Sequence, residues 1–169
     1  LESPDYSWLL KEFEFIKNAL KNEIRIIGVC LGAQLLAHAA GGSVEPLLDS
    51  ESCKPLPEVG WAPISFNGVG CDEGIRSFLN SPCNVLHWHG DRILLPYDAQ
   101  LIASSDRCQE QLFVIGDYAI GLQFHLEIEE EMFTRWLDED VTFMKAALGD
   151  DAKEILLKQY KEHGSLSIN

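Results

Sequence analysis

The strongest constraint on this chain is the stretch Gly28-Val29-Cys30-Leu31-Gly32-Ala33-Gln34. Before the cysteine, residues 24–29 form a short apolar run with Arg25 as its one discordant member, the pattern of a buried strand in a parallel sheet. After it, residues 31–40 read as a helix closed by Gly41-Gly42. Strand and helix leave no residue to spare, so the chain must reverse at Cys30 itself. G-x-C-x-G in that position is the cysteine form of the G-x-S-x-G nucleophile elbow. A strand that turns straight into a helix crowds its own backbone, and Gly28 and Gly32, two positions either side of the cysteine, are expected to relieve that clash. Cys30 then stands strained at a helix N-terminus, where the dipole and unpaired N–H groups favour the reactive thiolate. The N–H of Leu31 is placed to donate to an oxyanion. The same residues also fit a buried cysteine in a glycine-rich turn, so the reading depends on finding a partner.

A cysteine nucleophile works with a base that a third group orients. The matching segment is Gly121-Leu122-Gln123-Phe124-His125-Leu126-Glu127, in which His125 ends a strand-like run. Residues two apart in an extended chain point to one side, roughly 6–7 Å apart. Glu127 can therefore accept from His125 and hold its tautomer, giving the order Cys30, His125, Glu127. Singly, His125 fits a satisfied strand-end histidine and Glu127 fits a helix N-terminal acid; together with Cys30 the triad is the more economical account.

The rest of the chain reads as one α/β unit. A first helix is predicted over residues 6–22. Short strands follow at 59–66, 85–88, 101–104, 112–115 and 119–124, with a short helix at 75–79. One long helix is predicted over 129–148, then a last helix over 152–163 and a mobile tail. The domain assignment is residues 1–148 as the catalytic unit and 149–169 as a C-terminal helix and tail.

Charge and composition exclude several classes. A formal net charge of −14 opposes binding to nucleic acid or to an anionic membrane surface. No apolar run approaches the roughly 20 residues that cross a bilayer, and the first residues lack a signal-peptide pattern, so a cytoplasmic location is expected. Five cysteines without CxxC spacing argue against a disulfide framework or a structural zinc site. His87 and His89 alternate on a predicted strand, but with no third spaced ligand no metal is assigned. No phosphate-binding G-x-x-x-x-G-K-[ST] loop is present, and no cofactor is expected.

The elbow together with Phe124-His125-Leu126-Glu127 resembles the class I, triad-type glutamine amidotransferases, most nearly the small stand-alone members related to the amidotransferase domain of GMP synthase. Val85 to Asp91 and Glu58-Val59-Gly60-Trp61 also look familial. The resemblance implies a flavodoxin-like α/β fold. It implies that Cys30 attacks the side-chain amide of glutamine, that a γ-glutamyl thioester forms, and that His125, oriented by Glu127, activates the water that releases glutamate. Gln34 matches a position that helps hold the glutamine substrate; His89 and Asp91 match a loop near the site without a defined role. Two departures stand out. Leu126 occupies a place that is proline in most members. The family's opening strands, with the loop that supplies a second oxyanion donor, have no counterpart here. On that reading the fold is N-terminally incomplete, glutaminase activity is impaired, and the chain associates with itself or with the missing segment as another chain.

Two further readings stay open at this point. One is a γ-glutamyl peptidase or other hydrolase on the same Cys-His-Glu scaffold, since a fold does not dictate a substrate. The other is a non-catalytic binding or regulatory domain that retains the motif, including a redox role for Cys30.

Overall fold

The computed structural model describes residues 7–67 and 83–164. In chain order the elements are α1 (Ser7–Lys21), β1 (Ile26–Val29), α2 (Leu31–Ala39), β2 (Ser43–Pro46), β3 (Glu58–Phe66), β4 (Cys83–His89), β5 (Asp91–Leu94) and β6 (Ala99–Ser104). They continue as β7 (Leu112–Ile115), β8 (Ala119–Leu122), α3 (Glu130–Glu139), α4 (Val141–Leu148) and α5 (Ala152–His163). The short helix expected at 75–79 and the tail after residue 164 lie outside the described residues.

Six strands form one mixed sheet in the order β1-β8-β7-β6-β3-β4, and β2 pairs with β5 in a separate antiparallel ribbon. Among the described residues only β1 and β8 run parallel; every other neighbouring pair in the large sheet is antiparallel. The strand expected at 24–29 is present over Ile26–Val29 and pairs in parallel as expected, but within a mixed sheet and without full burial. Among the described residues β1 is an edge strand with one partner, and Ile27 is 66% exposed. Arg25 precedes the strand, which removes the discord in the sequence pattern.

Among the described residues the core falls into three apolar clusters. Ile16 of α1 and Leu36 of α2 pack with Phe113 and Ile93 on one side. On the other, Leu86 and Trp88 of β4 meet Phe133 of α3, Met144 of α4 and Leu156 of α5. A third cluster joins Ile64, Val85, Ile102, Leu112 and Phe124 across the strands. The last helix is therefore part of the core, and its end brings His163 to a small pocket that His125 also lines. Among the described residues no helix is long and apolar enough to cross a membrane.

The helix predicted over 129–148 is two helices. Asp140 breaks it at φ −101°, ψ 31°, and its carboxylate accepts from Trp88 Nε1 at 2.9 Å. A tertiary hydrogen bond to a charged group, worth about 1.5–3 kcal/mol, outweighs one residue of helix propensity. β8 likewise ends at Leu122 rather than at residue 124, because the chain there leaves β1 for other partners. The Gln123 N–H donates to the Gln111 carbonyl at 2.9 Å and the His125 N–H to the Leu86 carbonyl at 2.8 Å. That departure carries His125 across the sheet towards β4.

Candidate active site

Cys30 sits between β1 and α2 at φ 49°, ψ −108°, a region that L-residues rarely occupy. Such strain persists only where neighbours over-determine it. Here the Cys30 N–H is locked to the Leu122 carbonyl at 2.7 Å, and its carbonyl accepts the Gln34 N–H at 3.0 Å as the first bond of the helix. Gly28 performs the task expected of it, for a Cβ there would meet the Gly32 carbonyl oxygen at 2.5 Å. Gly32 does not, since a Cβ at that position has nothing within 4 Å. The crowding at the elbow is one-sided: Gly28 abuts the backbone of the following turn, whereas Gly32 faces open space. Leu31 occupies the first position of α2, where an N–H has no intrahelical acceptor.

His125 and Glu127 meet as the spacing requires. His125 Nδ1 lies 2.6 Å from Glu127 Oε1, so the ring donates from Nδ1 and turns Nε2 inward. Glu127 Oε2 accepts the Leu126 N–H at 2.9 Å. Leucine at the place that resembles a family proline therefore supplies a backbone donor that proline lacks. Trp136 of α3 covers the His125 ring edge to face, with centroids 4.9 Å apart and planes at 77°.

The electrostatics follow from this enclosure. Burial disfavours a charged His125, but the proximity of Cys30 and Glu127 outweighs it and pushes the imidazole up to about 9. Burial would raise the Glu127 carboxyl, yet the hydrogen bond from His125 and those from backbone N–H groups hold it below its ordinary value. His125 Nε2 is buried and faces Cys30 without completing full hydrogen-bond geometry. Such pairs tighten when substrate arrives. By contrast, burial pushes the Cys108 thiol up to about 12 and raises that of Cys83, which suppresses their thiolates.

Two contacts at the sulfur were not anticipated from sequence. Gln123, fully buried, points Nε2 at Cys30 Sγ from 3.8 Å. The Trp88 carbonyl oxygen lies 4.0 Å from the same sulfur and accepts from its thiol form. Gln34 is also buried, and its Nε2 donates to Gln123 Oε1 at 3.3 Å. Its amide nitrogen is thus engaged within the protein. Gln123 stands directly before Phe124 and His125 in the triad segment, a position that offered a signal: a polar residue where an apolar strand would continue. His89 and Asp91 meet each other instead of Cys30, with His89 Nδ1 donating to the Asp91 carbonyl at 3.0 Å.

Comparison with known proteins identifies the family. The family model for class I glutamine amidotransferases matches residues 4–142. The glutamine amidotransferase-like protein YfeJ of Salmonella typhimurium is 32% identical over 121 residues, covering 71% of this chain and 47% of YfeJ. Gamma-glutamyl peptidase 3 of Arabidopsis thaliana is 25% identical over 160 residues, covering 90% of this chain and 61% of that one. GMP synthases are among the further matches. The crystal structure of a glutamine amidotransferase from Thermotoga maritima superposes with a TM-score of 0.78 at 32% identity, over 98% of this chain and 67% of its own. The chain spans about half to three-fifths of the length of the first two relatives. The family model over residues 4–142 and the 32% identity to YfeJ over 71% of this chain place the chain in the class I glutamine amidotransferase family.

Proposed function

We propose that the chain hydrolyses the side-chain amide of glutamine through a thioester on Cys30, with His125 as proton carrier and Glu127 as its anchor. The observation that carries this reading is the strained Cys30 elbow beside a His125 ring held 2.6 Å from Glu127. In the first step the Cys30 sulfur bonds to the amide carbon. The oxyanion that forms is met by the Leu31 N–H. The carbon–nitrogen bond then breaks, and the leaving nitrogen takes the proton that His125 carries at neutral pH. Ammonia departs and a γ-glutamyl thioester remains. Neutral His125 next removes a proton from water, which attacks the thioester; the sulfur leaves as thiolate and glutamate is released. Gln123 supports the thiolate by donating to it, and Gln34 serves both that network and the substrate's edge.

Glutamine turnover is tested by measuring glutamate and ammonia release with the wild-type chain and with Cys30→Ala. Labelling of Cys30 by a diazo-ketone analogue of glutamine is mapped by mass spectrometry alongside. Analogue labelling that excess glutamine blocks is the expected result. Modification of Cys30 by a general thiol reagent but not by the analogue overturns the glutamine assignment.

A second reading is a γ-glutamyl peptidase, favoured by the longer match to a peptidase of that kind than to YfeJ. The two share every step up to the leaving group, which is an amino-acid amine instead of ammonia. Competing turnover of glutamine and a γ-glutamyl dipeptide separates them through the ratio of kcat/KM values.

A further inference from the structure

The sequence left His87 and His89 as an alternating pair without a third donor, and the pairing of β3 with β4 supplies one. Glu58 stands opposite His89 in the register. Its Oε2 lies 3.1 Å from His89 Nε2 and 3.8 Å from His87 Nδ1. One donor atom from each of the three side chains falls within 4.8 Å of the others. Glu58, His87 and His89 are 5%, 1% and 4% exposed.

Four observations point from this cluster to a ligand. The Asp91 carbonyl can only accept, so His89 donates to it from Nδ1 and turns Nε2 towards Glu58. His89 Nε2 and the Glu58 carboxylate oxygen stand 3.1 Å apart and share the Gln111 Nε2 amide at 3.4 Å and 2.6 Å, a spacing at which one cation would reach both. His87 is buried, and its Nδ1 faces Glu58 Oε2 from 3.8 Å, too far for a direct hydrogen bond. Among the described residues the ion-pair partners of Glu58 are these two histidines, with no lysine or arginine to balance a buried carboxylate. Finally, Gln111 directs Nε2 at Glu58 Oε2 from 2.6 Å while its buried Oε1 has no partner. A half-turn of that amide exchanges the two atoms and aims a carbonyl oxygen into the cluster.

We propose that Glu58, His87 and His89 bind one divalent transition-metal ion, with the Gln111 carbonyl oxygen as fourth ligand. Two imidazoles with oxygen donors suit zinc and disfavour calcium and magnesium, which take oxygen alone. Ser105 donates to the other carboxylate oxygen of Glu58 at 2.6 Å and fixes its direction. A cleft lined in part by Gly60, Arg107 and Gln159 reaches Glu58 and His87 and gives the ion a route in. Four protein ligands make the site structural rather than catalytic. The ion ties β3 to β4, and β4 presents the Trp88 carbonyl to Cys30 and the Leu86 carbonyl to the His125 N–H from its adjoining positions. The proposal stands whether the substrate is glutamine or another γ-glutamyl compound.

The test uses the full chain, stripped with a chelator and titrated with cobalt(II) and with zinc. The expected result is one-to-one uptake, visible-region cobalt absorption of a tetrahedral nitrogen–oxygen site, a higher Tm, and loss of the colour on adding zinc. His87→Leu and Glu58→Gln weaken uptake at least about tenfold, whereas Cys30→Ala leaves it unchanged. Circular dichroism verifies that each variant is folded. X-ray absorption at the zinc edge of the wild-type chain provides a readout that needs no variant, and two imidazoles in the first shell are expected. Failure of the folded wild-type chain to take up one equivalent overturns the proposal. So do sulfur-to-cobalt charge-transfer bands, or undiminished uptake in folded His87→Leu.

Discussion

Gln123 aims its amide nitrogen at the Cys30 sulfur from 3.8 Å, and its amide oxygen is held 3.3 Å from Gln34 Nε2. The second contact decides the first: with Gln34 donating to the oxygen, the Gln123 nitrogen must be the end that faces the sulfur. The relay presents a donor to the thiolate, the form that attacks.

Gln123→Met keeps the volume and removes that donor. The expected outcome is about tenfold slower alkylation of Cys30 by iodoacetamide at neutral pH, with a stability loss of about 1–3 kcal/mol from the Gln34 amide left unpaired. Alkylation within twofold of wild type would show that Gln123 only fills space.

Glu127→Gln removes the charge that helps hold the His125 proton. The wild-type kcat/KM should fall as pH rises through about 9, where His125 loses the proton it gives to the leaving nitrogen. In the variant that limb moves to lower pH, towards the ordinary histidine range, and rate measurements from pH 6 to 10 on both chains check it. A limb that does not move assigns it to another group.

Thermal stability carries the same signature. The folded-state value for His125 lies above the ordinary 6.5, so the protonated ring is favoured by folding. That contribution is fully present below about pH 6.5 and is lost as pH rises through about 9. His125→Gln should flatten the decline of Tm between pH 7 and pH 10 relative to wild type; parallel profiles for the two chains would refute this.

The two elbow glycines should respond differently. Gly28→Ala forces a methyl against the Gly32 carbonyl oxygen and should cost about 3 kcal/mol or the fold itself. Gly32→Ala meets nothing and should leave the urea midpoint near wild type. Equal losses in both variants would contradict the one-sided crowding described here.

How much of this protein could be read along the chain depends on how local each feature is. The elbow at Cys30 was legible because a strand, a turn and a helix in immediate succession impose their own sterics, and the His125–Glu127 pair because it spans a single residue. Backbone geometry within a few residues suffices for both. The break at Asp140 was not legible, because it depends on Trp88 arriving from β4 to claim the carboxylate. Nor was the mixed character of the sheet, since an apolar run does not record the direction of its neighbours. Glu58 could be set beside His87 and His89 only by the antiparallel register of β3 on β4. Gln123 could reach Cys30 only by the parallel pairing that lays β8 against β1. Periodicity and turn chemistry are properties of short segments. Register is a property of strands that meet from far apart in the chain, and it is set by the packing of the whole sheet.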